Sequence, residues 1–177
     1  MLLRARLVLP VSRPPIANGA VLVKDGRIEF AGPWPEAARL TNAPPHDLGE
    51  AILLPGLINA HCHLDYTAMA NLIPPPRQFT DWIKSIVALK GTWSTAEYAD
   101  SWKAGAAMLL RQGVTTVADI EAAPELLPAL WQATPLRVLS FRELIGFKNP
   151  AAASATVEAA ASEWDALPAA SQRVGLS

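Results

Sequence analysis

The chain has little cysteine and little charge. Its 177 residues include one cysteine, Cys62, so no internal disulfide can form, and a disulfide-built secreted scaffold is excluded. Charged residues make up 18%, and 15 Lys+Arg against 16 Asp+Glu leave a net charge of -1 with no run of like charge. This balance argues against nucleic acid or an anionic membrane surface as a partner and favours small-molecule chemistry.

Long apolar runs are also missing. The longest uncharged stretch rich in apolar residues, residues 51–64, is shorter than the ~20 residues that a membrane span needs, and it contains Pro55 and Gly56. The amino-terminal MLLRARLVLP alternates charged and apolar residues and lacks the apolar core of a signal peptide. Together these features predict a cytoplasmic protein without a membrane span.

The first 54 residues carry the signals of β-structure. MLLRARLVL and AVLVKDGRIEFAG predict strands, and Asp25-Gly26, between two β-rich runs, predicts a hairpin turn. Residues 33–45, rich in proline and alanine, predict a short helix or loop that leads to a last strand over about residues 47–54. We interpret this part as a small sheet that precedes the main domain.

From Pro55 onward, strands alternate with helices, which is typical of parallel βα units. LINAHCH is the first predicted strand, VTTVADI the second, LRVLSFRELIG the third, and RVGLS begins a fourth. One helix, DWIKSIVALK, is predicted after a cap at Thr80, and another after a capping box formed by Ser94 and Glu97. A further helix is predicted over about residues 151–167.

Two histidines one residue apart, His61 and His63, end the first of these strands. Residues i and i+2 of a strand project from the same face, so a strand end can direct both imidazoles to one point. In βα architectures the active site lies at the carboxyl ends of the strands. The alternative is one core and one surface histidine, but the position after an apolar strand favours a metal site. Cys62 is then expected to face the opposite side as a packing residue.

The segment PGLINAHCHLD resembles the signature of the amidohydrolase superfamily, and VLVKDGRIEFAG and GVTTVADI resemble its amino-terminal hairpin and its second barrel strand. The similarity is greatest to the branch of deaminases and chlorohydrolases that act on nitrogen heterocycles. It implies an α/β fold in which residues 55–177 are the first half of a (β/α)₈ TIM-type barrel, truncated at the fourth strand. Residues 1–54 would form a small β-sandwich segment in front of it.

The resemblance also implies a site and a cofactor. His61 and His63 would bind one divalent metal ion, zinc in the first place and iron as the alternative. This ion would activate a water molecule for the hydrolytic deamination of a nitrogen heterocycle, that is, for C–N bond hydrolysis. Members of the superfamily add further metal ligands and a proton-transfer residue from later strands. We therefore expect an amino-terminal portion that is catalytically incomplete by itself, and we assign no catalytic residue.

Other polar residues at strand ends are candidates for the pocket. Glu143, an ionisable residue in an apolar strand end, is the best candidate for substrate binding, and a structural carboxylate paired with Arg142 or a helix N-terminus is the alternative. Asp119 and Glu121 end the second strand and could face the mouth of the predicted barrel, at the carboxyl ends of its strands. His46 is expected at the surface. The expected partner is a small-molecule substrate, with a homo-oligomer as an open option.

Two competing hypotheses come from other classes of protein. About 120 residues follow Leu57, roughly half of the ~250 that a complete barrel needs, so the chain could instead be a non-catalytic fragment or an assembly module. A phosphate-binding or nucleotide-binding domain is disfavoured, because no P-loop and no G-x-G-x-x-G motif follows any predicted strand.

Overall fold

The computed structural model describes residues 1–144, 150–166 and 173–176, and it divides into two compact units, Met1–Pro55 and Gly56–Ser177. Both contain strands and helices, so the predicted mixed α/β class is confirmed. The elements of the first unit are β1 (Leu2–Val8), β2 (Ile16–Lys24), β3 (Arg27–Pro33), α1 (Trp34–Ala37), β4 (His46–Asp47) and β5 (Ile52–Leu53). Those of the second are β6 (Leu57–Cys62), a 3₁₀ helix (Leu64–Met69), α2 (Phe79–Lys90), α3 (Thr95–Arg111), β7 (Val114–Glu121), a 3₁₀ turn (Pro124–Leu126), α4 (Leu127–Gln132), β8 (Arg137–Arg142), α5 (Pro150–Ala166) and β9 (Arg173–Leu176).

The first unit is one sheet of order β3-β2-β1-β4, with β5 also paired to β1. β1, β2 and β3 are antiparallel neighbours, and the predicted hairpin joins β2 to β3. Asp25 and Gly26 have φ angles of 50° and 73°, as a type I′ turn requires, because its two central residues both need positive φ. The hairpin prediction is therefore confirmed, whereas the β-sandwich stays a prediction.

The sequence predicts one continuous last strand in the first unit, but in the structure this strand is interrupted. It is replaced by two short strands, β4 and β5, which lie parallel to β1. Between them the chain turns at Gly49, whose φ is 63° and whose N–H donates to the Asp47 carboxylate at 2.9 Å. This side-chain bond offers the backbone an alternative to the sheet ladder and so interrupts the strand.

The second unit is built on a four-stranded parallel sheet of order β6-β7-β8-β9. One face of this sheet packs against the helices through a single apolar core. Its buried members are Leu64, Trp102, Ala106, Val117, Leu127, Leu130, Trp131, Leu136, Val138 and Trp164. Helix α3 approaches the 3₁₀ helix closely at Gly105, where a Cβ atom would lie 2.4 Å from the Thr67 hydroxyl. A side chain at this position would push the two helices apart.

The helix boundaries follow local capping chemistry. At α3 the predicted capping box is confirmed, because Ser94 Oγ accepts from the Glu97 N–H at 3.3 Å and the Glu97 carboxylate accepts from the Ser94 N–H at 2.7 Å. The predicted cap at Thr80 is wrong, because α2 begins two residues earlier, at Phe79 behind Gln78, without a side-chain cap. Residue 167 and the end of the predicted third strand lie outside the described residues. Within the described residues, no helix is both long and apolar enough to cross a membrane.

Candidate metal centre

The two histidines lie where the first parallel strand of the second unit ends. His61 belongs to β6, and His63 stands at the start of the following 3₁₀ helix. The Asn59 side chain accepts from the His61 backbone N–H at 3.1 Å, and the regular register with β7 is interrupted between Asn59 and Cys62. This local turn interrupts the ladder where the imidazoles emerge, before pairing resumes at Cys62.

The two imidazole rings are close enough to share one ion. Their centroids are 5.5 Å apart and the rings are inclined by 73°. Two imidazoles bound to a tetrahedral zinc at the usual Zn–N length of about 2.0–2.1 Å would have ring centres about 5 Å apart. The observed separation therefore fits a shared metal ion with little adjustment.

His63 has the character of a ligand rather than of a surface base. It is half-buried, and its Nδ1 atom is buried with no hydrogen-bond partner in the described part of the chain. Burial lowers the pKa of His63, and the charges of Glu143 and Asp65 only partly oppose that effect. A neutral imidazole is the form that binds transition metals, and a pair of imidazoles is a donor set that suits zinc or iron.

The described residues offer these two histidines as candidate ligands and do not form a complete cage. No group of three or more His, Cys, Asp or Glu side chains that could hold a metal ion occurs among residues 1–144 and 152–166. Catalytic zinc usually has three protein ligands and one water molecule. His46, the third histidine, is exposed in β4 of the other unit, as expected for a surface residue.

Cys62, between the two histidines, packs against the apolar core of the second unit. It is paired in the sheet with Asp119, which also lies on the helix-facing side. Burial raises the pKa of the Cys62 thiol, and the Asp119 charge raises it further, so the thiol stays protonated at neutral pH. The structure therefore places Cys62 as the packing residue that the alternation of the strand predicts.

Replacing Cys62 with threonine is accordingly expected to be nearly silent for metal binding. The zinc dissociation constant should change less than about threefold, and the free energy of unfolding by about 1 kcal/mol or less, since the site is only half-buried. Zinc titration and urea unfolding of both proteins measure these two quantities. A tenfold loss of zinc affinity in the folded variant would show that the thiol binds the ion.

Asp119 faces the helices and not the strand-end mouth where the histidines lie. The sequence had left open which side Asp119 would face. It is fully buried, its Oδ1 accepts from the Leu64 N–H at 2.8 Å, and its Oδ2 accepts from the Trp102 indole N–H at 2.7 Å. Burial raises the pKa of Asp119 to about 7, although both hydrogen bonds favour the ionised form. Asp119 therefore ties β7 to α3 and to the residue that follows His63.

Glu121 also points to the helix-facing side. It is 3% exposed and lines a cavity of about 10 Å³, which has room for one water molecule at most. Neither carboxylate oxygen has a hydrogen bond of standard geometry within the described residues. Burial raises the pKa of Glu121 to about 8, while the Ala123 N–H and the charge of Arg142 partly oppose this effect. Glu121 is thus mostly protonated at neutral pH.

This pKa predicts an unusual pH dependence of stability. The folded pKa of Glu121 lies above its unfolded value, so its contribution is fully present below about pH 4 and is lost as the pH rises through about 8. Between pH 6 and 8 the wild type should lose about 2 kcal/mol more unfolding free energy than Glu121→Gln, which stays uncharged. Urea titrations at several pH values test this, and parallel curves for the two proteins would contradict it.

Glu143 follows β8 directly, and its N–H donates to the Glu121 carbonyl at 3.0 Å. Its half-buried carboxylate is near enough to raise the pKa values of His63 and of Tyr66. The alternative partner, Arg142, instead forms an ion pair with Glu163 of α5 at 2.9 Å. Among the strand-end carboxylates that the sequence singled out, Glu143 is therefore the one that the structure brings into the electrostatic environment of His63.

One polar cluster beside His63 was missed by the sequence analysis. Tyr66 stacks on His63, with ring centroids 4.4 Å apart, and Lys90 at the end of α2 pairs with Asp65 at 3.0 Å. Asp65 and Tyr66 follow the histidine directly in HCHLDY, so their proximity was available as a signal. Lys90 was not, since it is separated from them by a loop and a whole helix.

Comparison with known proteins decides the family. The sequence model of the Amidohydrolase family matches residues 52–174, which is well over half of the chain. The chain belongs to the amidohydrolase family. The match begins in β5 and ends inside β9, so it includes the histidine pair, the strands β6, β7 and β8, and the start of β9.

Among individual relatives of this amidohydrolase, a 5-methylthioadenosine/S-adenosylhomocysteine deaminase of Symbiobacterium thermophilum is 31% identical over 137 residues, which is 77% of this chain and 31% of the relative. Two solved structures share its fold, each with a TM-score of 0.77 and 21% identity over 99% of this chain. They are Helicobacter pylori aminofutalosine deaminase in complex with methylthio-coformycin and atrazine chlorohydrolase TrzN from Arthrobacter aurescens TC1 complexed with zinc, of which 43% and 46% are covered. The chain thus spans about a third of the length of the curated relatives it matches.

Proposed function

We propose that this amidohydrolase binds one divalent ion, zinc in the first place, through His61 and His63, and that it removes an amino group hydrolytically from a nitrogen heterocycle. The observation that carries the proposal is the convergence of the two imidazoles, 5.5 Å apart, at the end of β6. The names of the relatives, which include deaminases and a zinc-bound chlorohydrolase, support the reaction class and the metal.

Each residue near the mouth has a distinct part in this proposal. When bound, the ion would supply a Lewis acid and lower the pKa of a water molecule to about 7. The imidazoles of His61 and His63 hold the ion, and Asp119 fixes the backbone immediately after them. Glu143 faces the substrate as an ionisable group in a partly desolvated position, where it can accept a hydrogen bond from a ring N–H or an amino group.

The fold supports the same proposal at a coarser level. Four parallel strands with helices on one face are the arrangement found in half of a (β/α)₈ barrel, and the histidines lie at the carboxyl end of the first strand, where such barrels carry their active sites. We propose that residues 55–177 form the first half of such a barrel and that residues 1–54 belong to a β-sandwich. The later strands would then supply the further metal ligands.

The direct experiment is metal analysis and an ammonia-release assay on the product of the complete reading frame. The panel would begin with 5-methylthioadenosine and S-adenosylhomocysteine, because a relative is named for both. We expect one bound metal ion per chain and ammonia release from at least one aminated heterocycle. A well-folded product with no metal and no turnover would refute the proposal. A product with bound zinc but no ammonia release from any member would favour the non-catalytic assembly module.

A further inference from the structure

We propose that Lys90, at the end of α2, is a positioning residue for the metal ligand His63 and acts through Asp65 and Tyr66. This inference rests on the proposed function, since it takes His63 as a ligand. It concerns a contact between residues far apart in sequence, and it assigns a role to a buried charge that the metal site does not use directly.

The orientation of His63 depends on a ring contact. Metal-binding histidines are usually oriented by a hydrogen bond from their second ring nitrogen to a carboxylate or a carbonyl. Within the described residues, His63 Nδ1 has no such partner. Instead the ring lies nearly parallel to that of Tyr66, with an interplanar angle of 16° and centroids 4.4 Å apart. Whatever fixes Tyr66 therefore fixes His63.

Lys90 contacts both Tyr66 and its neighbour Asp65. Its Nζ lies 4.6 Å from the centroid of the Tyr66 ring, within the range of a cation–π interaction, and 3.0 Å from the Asp65 carboxylate. The side chains of Lys90 and Asp65 are only 12% and 7% exposed. The helix end itself is held by Tyr98, whose hydroxyl donates to the Lys90 carbonyl at 3.2 Å. The ammonium is thus confined beside the ring that supports His63.

Stability alone does not account for this ion pair. Desolvation of two charges commonly offsets their attraction, and replacing a buried pair with apolar side chains of similar size is often neutral or stabilising. An apolar pair would fill the same space, but it would give Tyr66 no charge to face. The geometric effect of Lys90 on Tyr66, and through it on His63, is what such a replacement would lose.

The test uses the 177-residue chain with the double variant Asp65→Leu/Lys90→Met, which removes both charges and leaves none unpaired. We expect its melting temperature to match the wild type, its zinc dissociation constant to rise about tenfold, and the His63 ring-proton NMR signals of the metal-free protein to shift. Lys90→Arg, which keeps a cation able to pair with Asp65 and to stack on Tyr66, should keep the wild-type zinc affinity and the wild-type His63 signals. Lys103→Met is the matched control, because its pair with Asp100 is 50% and 78% exposed, and it should change none of these quantities.

The outcomes separate this inference from the proposed function. Suppose that the wild type binds zinc and that His63→Ala lowers the zinc affinity. If the double variant then keeps both the wild-type zinc affinity and the His63 signals, the role of Lys90 is refuted while the ligand assignment of His63 stands. If His63→Ala binds zinc as the wild type does, the ligand assignment fails instead. Should the double variant unfold, Lys90→Met decides the question: wild-type zinc affinity in a folded Lys90→Met protein would overturn the inference, and a loss of about tenfold would support it.

Discussion

Replacing His61 or His63 with alanine is expected to lower turnover by about 100-fold or more in the product of the complete reading frame, with a parallel loss of bound metal. Each imidazole is one of the two proposed metal ligands, and loss of even an outer partner of a metal ligand typically costs 10–100-fold. Neither substitution should unfold the protein, because His61 is exposed and His63 is half-buried. The free energy of unfolding should change by about 1 kcal/mol or less.

His46→Ala is the matched control for this experiment. It removes the third histidine of the chain, which is exposed and lies in the other unit, so metal content and turnover should stay at the wild-type level. Metal analysis after gel filtration and steady-state kinetics of all three variants give the comparison. If either pair variant retained full metal occupancy and substantial activity, the ligand assignment would be wrong.

The features that the sequence predicted well depend on short-range chemistry. The Asp25-Gly26 turn needs positive φ at two adjacent residues, and the box at Ser94 needs an acceptor three residues later, so both are visible in a few letters. The emergence of His61 and His63 on one side of Cys62 follows from the two-residue period of a strand. In each case the residues that cause the structure are neighbours in the chain.

The features that were missed depend on contacts between distant residues. Asp119 and Val117 share one face of β7, but only the packing of α3 against that face shows that it is the buried side. The break between β4 and β5 comes from a local bond of Asp47, which competes with a strand that the apolar pattern favours. The contact of Lys90 with Asp65 depends on where a whole helix ends, and no local pattern specifies that.

The largest effect on stability is expected at Asp119. In Asp119→Ala the Leu64 N–H and the Trp102 indole N–H, both buried, lose their acceptor. Each unsatisfied buried donor costs about 1–3 kcal/mol, so the second unit should lose about 3–5 kcal/mol of unfolding free energy. Urea titration followed by tryptophan fluorescence measures this loss. Asp119→Asn keeps one acceptor oxygen in the same place and should lose less than the alanine variant.

Asp119→Ala should also weaken metal binding in the protein that remains folded. The bond from the Leu64 N–H holds the residue directly after His63, so its loss frees the turn that carries the imidazole. Zinc affinity measured without denaturant, and corrected for the unfolded fraction, should fall by about tenfold. An exposed substitution of the same kind, Asp100→Ala, provides the control, since that carboxylate pairs with Lys103 at the surface. If Asp119→Ala were as stable as Asp100→Ala, the carboxylate would not join β7 to the turn after His63, and Trp102 would have to hold that turn through apolar packing alone.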